Sequence, residues 1–179
     1  MSVIGNTTPR YIYGLRLGLT YKGFDFSAFA QGVGKRDYWG TGSLFIPGFT
    51  AGEAVYKNQM DYWSPENTSA FYPAPSNPGG NNHNANWQPQ TLYLLNMAYM
   101  RMKNVTIGYT LPTKLSKMAK INKVRVFASG ENLFTIDNVD ITIDPEIQQN
   151  SVEGFNDAKS FGRTYPYFRT FSFGVQLDL

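Results

Sequence analysis

The 179-residue sequence has no cysteine and a single histidine, His83. The first absence excludes disulfides and thiolate metal centres. The second leaves no histidine cluster for a metal and no positioned partner for triad or general-base chemistry, so His83, among loop asparagines, is read as solvated. No run of eighteen apolar residues exists, so no transmembrane helix is encoded. The opening residues Met1-Ser2-Val3-Ile4-Gly5 lack the basic and apolar stretches of a secretory signal. For an exported protein the expectation is that the signal was removed or that the chain is a piece of something longer. No glycine-rich phosphate loop follows a strand and opens a helix, so no nucleotide site is expected. The net charge of +3 is too small to argue for nucleic acid.

What is present is an alternating pattern. The last nine residues, Phe171 to Leu179, alternate apolar with small or polar side chains without a break, as a strand with one greasy and one wet face does. Tyr11 to Tyr21 alternates likewise, with Tyr11, Tyr13, Leu15, Leu17, Leu19 and Tyr21 on one face and Ile12, Gly14, Arg16, Gly18 and Thr20 on the other. Lys22-Gly23 is a tight-turn signal, and a second strand follows. Five strands are predicted, at about 11–21, 24–33, 99–111, 123–134 and 168–179. They are separated by long polar stretches at about 34–96 and 135–167. Within the first, a short helix is predicted over Glu53 to Trp63, ended by Ser64-Pro65; Lys114 to Lys117 reads as one helical turn. Connections thus run short, long, short, long, which is how membrane barrels place turns inside and loops outside. Tyr11, Tyr13 and Tyr21 stand where an aromatic girdle would.

The fold class expected is all-β: an antiparallel meander of about five long strands, the C-terminal part of a transmembrane β-barrel, across residues 1–179. Five strands cannot close alone, and an open sheet leaves two unpaired edges and an uncovered apolar face. On this reading Leu15, Leu17, Leu19, Val105, Ile107, Phe171, Phe173 and Val175 face lipid, while Arg16, Asp25 and Gln31 face the lumen. Arginine at position 16 would otherwise cost roughly 2–4 kcal/mol against lipid. The alternative is a soluble β-sandwich that binds carbohydrate through loop tryptophans, in which the same eight side chains lie under a second sheet.

Several blocks resemble one family. Pro9-Arg10-Tyr11-Ile12-Tyr13-Gly14 and Tyr21-Lys22-Gly23-Phe24-Asp25-Phe26-Ser27 resemble the late hairpin of SusC/RagA-type TonB-dependent outer-membrane transporters. Tyr62-Trp63-Ser64-Pro65-Glu66-Asn67 is similar to a loop motif of theirs. The stretch from Tyr99 to Pro112, with Arg125 to Phe134, Asp144-Pro145-Glu146 and Tyr165-Pro166 to Gly174, resembles their last strands in order and spacing. The resemblance implies a barrel of about 22 strands with a plug, importing oligosaccharides or peptides. Its implied partners are a SusD-type lipoprotein lid and the TonB–ExbB–ExbD complex, the latter acting through an N-terminal region that these residues do not contain. It also implies a Gram-negative outer membrane with the C-terminus in the periplasm, and that this segment does not transport alone.

No enzyme activity and no cofactor are expected. The acids Asp137, Asp140, Asp144 and Glu146 supply oxygen ligands but do not match the EF-hand spacing, so solvated loop acids are the better reading and no metal is assigned. Trp39, Trp63 and Trp87 all lie in the first long stretch. They serve either to stack on a ligand or to pack the loop, and packing carries more weight because tryptophan buries a large area wherever it can. Lys114, Lys117, Lys120, Lys123 and Arg125 cluster without an intervening acid, whereas beyond them acids outnumber bases eight to three; both surfaces read as solvated.

Overall fold

The computed structural model describes residues 2–40, 44–47, 55–75, 88, 90–118, 120–139, 143–146 and 165–178. His83, Trp87 and Asp140 lie outside the described residues. The chain divides into two compact units. One comprises Pro9–Gly34, Ala98–Asn138 and Tyr167–Leu179; the other comprises Met1–Thr8, Lys35–Met97 and Val139–Pro166.

The first unit is a single antiparallel sheet in the order β1 (Tyr11–Tyr21), β2 (Phe24–Gly34), β5 (Tyr99–Thr110), β6 (Lys123–Glu131) and β8 (Thr170–Asp178). The fold is an all-β meander. The β1–β2 hairpin closes through Lys22 (φ 46°) and Gly23 (φ 87°). Both central residues need positive φ, as a tight hairpin turn with the strands' own twist demands. The register pairs Leu17 with Ala28, Leu19 with Phe26 and Tyr21 with Phe24, so the two apolar sets share one face. The short connection from β5 to β6 contains the helix α1 (Thr113–Met118). The two long connections leave the sheet from its opposite end.

The fourth predicted strand, 123–134, is broken. Strand β6 ends at Glu131, Asn132 turns into positive φ (51°), and β7 (Thr135–Asp137) resumes pairing with β5. The cause is a bulge: Phe29 pairs with Asn104 but Ala30 with Met102, leaving Lys103 as the extra residue. The bulged segment is bonded from the far side, where Asn132 N donates to Lys103 O (3.1 Å) and Leu133 N to Met102 O (3.1 Å).

The second unit contains a two-stranded sheet of β3 (Asp37–Trp39) and β4 (Leu94–Asn96), so the stretch predicted as loop at 34–96 holds two short strands. The helix expected over 53–63 is, among the described residues, one 3-10 turn at Lys57–Met60. Residues 53 and 54 lie outside the described set. The turn stops because the Asp61 carboxylate draws the chain elsewhere, accepting from Asn67 Nδ2 (3.0 Å) and from Phe71 N (3.1 Å). No described helix is long and apolar enough to cross a membrane.

Candidate functional site: a two-faced sheet and an aromatic groove

The pairing registers carry one face across all five strands. Leu17 leads to Ala28, Val105, Gly130 and Phe171; Leu19 leads to Phe26, Ile107, Ala128 and Phe173. The eight residues Leu15, Leu17, Leu19, Val105, Ile107, Phe171, Phe173 and Val175 therefore share a single face. Seven of them are exposed, from 52% for Leu17 to 84% for Phe173. Val105 is half-buried. Its neighbour in β6 is Gly130, over which Leu133 folds, so close that a Cβ there would lie 2.6 Å from Leu133 Cδ2. Among the described residues of this unit, none covers the face. A soluble sandwich would have buried these side chains at roughly 1.5–3 kcal/mol each, a gain left unmade here.

The ends of the apolar band are aromatic. Tyr21 is exposed at one end beside Phe24 and Tyr109, whose rings pair at 4.5 Å between centroids. Tyr11 and Tyr13 stand at the other end. Eleven residues at about 3.3 Å each, tilted by about 40°, rise about 28 Å, close to the height of a lipid-facing band.

The opposite face is polar, and it places the three residues singled out for a lumen. Arg16 lies over the Phe29 ring, 5.4 Å from its centroid. Gln31 pairs in register with Arg101, which is itself buried and donates from Nε to Thr135 Oγ1 at 2.8 Å. Asp25 meets Arg125, one hundred residues away, through two parallel contacts, with Nε to Oδ1 at 2.9 Å. Such a bidentate pair fixes geometry as well as charge. Gly108 makes it feasible: it pairs with Asp25 on one side and with Phe127, two residues along β6 from Arg125, on the other, and a Cβ at 108 would lie 2.5 Å from both Arg125 Nη2 and Asp25 Oδ1. Sequence reasoning missed Arg125, placing it only in a basic cluster. Its alternation parity with Asp25 and Gly108 was the available signal, but the lateral register was not.

In the other unit the Tyr62 to Asn67 block forms a tight turn, with Asn67 N donating to Ser64 O (3.0 Å) and to Ser64 Oγ (3.1 Å). Trp63 N donates to Tyr72 O (2.9 Å) and Tyr72 N to Asp61 O (3.0 Å). These bonds set the Trp63 ring, 45% exposed, beside an open groove of about 420 Å³ lined also by Phe71, Tyr72, Leu92 and Tyr93. Trp39 differs: its indole Nε1 is enclosed and meets no acceptor among the described residues. The structure thus separates the two described tryptophans, one at a groove and one packed. Of the acids, Asp137 is in β7 and the Asp144 carboxylate accepts from Glu146 N (3.0 Å). No group of three or more metal-ligating side chains occurs among the described residues.

Burial raises the Tyr93 phenol to about 12, helped by the neighbouring Tyr72. Asp61 is held below the usual carboxylate range, first by the Asn67 side chain and then by Phe71 N. A raised folded-state value means that the Tyr93 contribution to stability is whole below the ordinary phenol value of 10 and is lost as pH rises through about 12. The expected result in an absorbance titration at phenolate wavelengths is that Tyr93 ionises after the exposed tyrosines, together with loosening of the groove. Tyr93→Phe should remove that last step.

Comparison with known proteins converges on one family. The chain is 27% identical to the TonB-dependent receptor P3 of Formosa agariphila over 179 residues, covering 98% of this chain. It is 26% identical to the TonB-dependent receptor P26 of the same organism over 183 residues, with the same coverage. The chain is similar to TonB-dependent receptors over nearly its whole length. It spans 17% of the length of each of these relatives. No family model matches it. Its fold is similar to that of the RagAB peptide importer. The TM-score is 0.65 with 20% identity in the closed-closed state, over 98% of this chain and 18% of that one. In the open-open state the values are 0.64 and 22%, with the same coverage. TonB-dependent receptors are outer-membrane proteins, and a sheet with one face bare of any apolar cover is suited to that setting.

Proposed function

We propose that the chain forms part of the barrel wall of a SusC/RagA-type TonB-dependent transporter in the outer membrane of a Gram-negative bacterium. The observation that carries this reading is the largely exposed apolar face that continues in register through five paired strands between aromatic ends. The eight apolar residues named above meet lipid. Arg16, Asp25 and Gln31 line the lumen, where charge and amide groups keep water. The strands closing the barrel pair with the β1 and β8 edges, and the short turns and C-terminus lie on the periplasmic side. The parent imports oligosaccharides or peptides; peptide import by the RagAB neighbour supports the second class. A SusD-type lipoprotein is its lid, and TonB–ExbB–ExbD supplies energy through a plug outside these residues. The segment contributes wall and loops, carries out no reaction, and does not transport alone. The Trp63 groove offers a flat aromatic surface to substrate, with Trp39 and Trp87 as further loop aromatics.

These 179 residues contain no cysteine, so a label introduced among them has no competing site within the segment. Spin labels at Leu17→Cys and Ser27→Cys, on opposite faces of the first hairpin, are compared in the membrane-embedded receptor. The label at 17 is expected to collide mainly with oxygen dissolved in lipid, and the label at 27 mainly with a water-soluble nickel chelate. Equal chelate access at both positions, or exclusion of both reagents, overturns the reading.

A further inference from the structure

The connection from β5 to β6 is a built feature rather than a slack turn. Ser116 is buried, with its hydroxyl 3.2 Å from Thr113 O and 3.3 Å from Asn122 O. Ile121 N donates to Ser116 O (3.1 Å), and Asn122 N donates to Asp178 O (2.9 Å), tying the connection to β8. With Ser116 held at the back, helical geometry of about 100° per residue puts Lys117, Lys114, Met118 and Leu115 on one outward arc. Met118 is 83% and Leu115 56% exposed. Lys114, Lys117 and Lys120 are exposed with them.

This arc stands at the same end of the sheet as the other short turn. There Thr110 N donates to Gly23 O (2.7 Å), and Lys22 Nζ lies 5.2 Å from the Tyr21 ring centroid. Lysine bent along an interfacial aromatic, and apolar side chains continuing an apolar band beyond it, are how a protein grips the headgroup layer. Of the acids nearby, Asp25 is bound to Arg125, and Asp178 stands opposite Lys123 in the strand register. Among the described residues at this end of the sheet, Lys22, Lys114, Lys117, Lys120 and Lys123 outnumber the acids, so the end is basic.

We propose that the α1 turn binds the anionic phospholipid headgroups of the leaflet on the short-turn side. Leu115 and Met118 dip into the acyl boundary while Lys114, Lys117 and Lys120 hold phosphates. The inference rests on the barrel-wall reading and adds a lipid preference to it. The lysines suit an anionic surface, and on the barrel-wall reading this end of the strands stands at the headgroup layer, where the exposed Leu115 and Met118 meet an apolar medium that an acidic soluble protein does not offer.

The test uses the receptor in phosphatidylcholine vesicles with or without about a quarter phosphatidylglycerol, with an environment-sensitive fluorophore at Met118→Cys and a headgroup spin-labelled lipid as quencher. Quenching is expected to rise at least about twofold when the anionic lipid is present. Each lysine is worth about fivefold in occupancy of an anionic surface, so K114Q/K117Q/K120Q together should return quenching to the zwitterionic level. High salt should do so in part. Equal quenching in the two lipids, or a triple variant that behaves as the parent, overturns the proposal. So does a spectral shift that soluble polyglutamate produces in detergent as strongly as the anionic lipid does. The spin label at Leu17 reports insertion in the same samples: loss of its contact with lipid-dissolved oxygen sinks the barrel-wall reading, whereas its retention without headgroup quenching sinks this proposal alone.

Discussion

Leu17→Arg is expected to destabilise the membrane-embedded sheet by about 2–4 kcal/mol, because a lipid-facing cation near the bilayer midplane carries that cost. Leu17 is near the centre of β1, half exposed, flanked on the same face by Leu15 and Leu19, and opposite Ala28, which offers no polar partner. The control is its neighbour. Gly18 is on the other face, and a Cβ built there meets nothing within 4 Å, so Gly18→Arg has room and water, and should change stability by no more than about 0.5 kcal/mol. Urea unfolding of the receptor in vesicles measures both. The contrast matters more than either value: adjacent positions, the same new side chain, and opposite media. If both substitutions are equally mild, the apolar face meets water rather than lipid.

That contrast also explains what the sequence could disclose. On the barrel-wall reading a strand between lipid and lumen has few compromise positions, so the period-2 pattern of Phe171 to Leu179 is unbroken, that of Tyr11 to Tyr21 is interrupted only by Ile12 on the polar face, and the all-β meander was legible. The Lys22-Gly23 turn was legible for a local reason, since few residue pairs accept positive φ twice. The lateral relations were not legible. Whether Asp25 finds Arg125 depends on the register between strands separated by long connections, and one residue of slip would move either to the other face. The bulge at Lys103 shifts that register midway along β5, and nothing in the stretch from Tyr99 to Leu111 marks it. Strands β3 and β4 are three residues each, too short to show a period. The helix expected at 53–63 rested on the stop signal Ser64-Pro65, but Asp61 spends its carboxylate on Asn67 and Phe71, a contact that a local signal does not display. In the loop unit the sequence treated the tryptophans alike, while the structure gives Trp63 a groove and Trp39 an enclosed ring; only tertiary contacts could separate them.

Gly32→Val is expected to destabilise the sheet by about 1–3 kcal/mol through overpacking rather than through strand propensity. Valine favours strands in general, so propensity alone predicts the opposite sign. The site decides: Tyr13 lies across Gly32, and a Cβ at that position would sit 2.4 Å from both Tyr13 Cζ and its hydroxyl oxygen. The phenol reaches over β2 to donate to Tyr99 O on β5 at 3.3 Å, so one side chain bridges three strands, and only a residue without a side chain lets it through. Valine at 32 must displace the ring and break that bond. Tyr13→Ala also loses the bond but frees the space. A double-mutant cycle therefore separates the causes: Gly32→Val should be markedly less harmful in the Tyr13→Ala background, by an interaction energy of about 1 kcal/mol or more. Strict additivity in vesicle unfolding would show that Tyr13 does not occupy the space above Gly32. The three-strand bridge would then contribute nothing to holding β1 and β2 against β5.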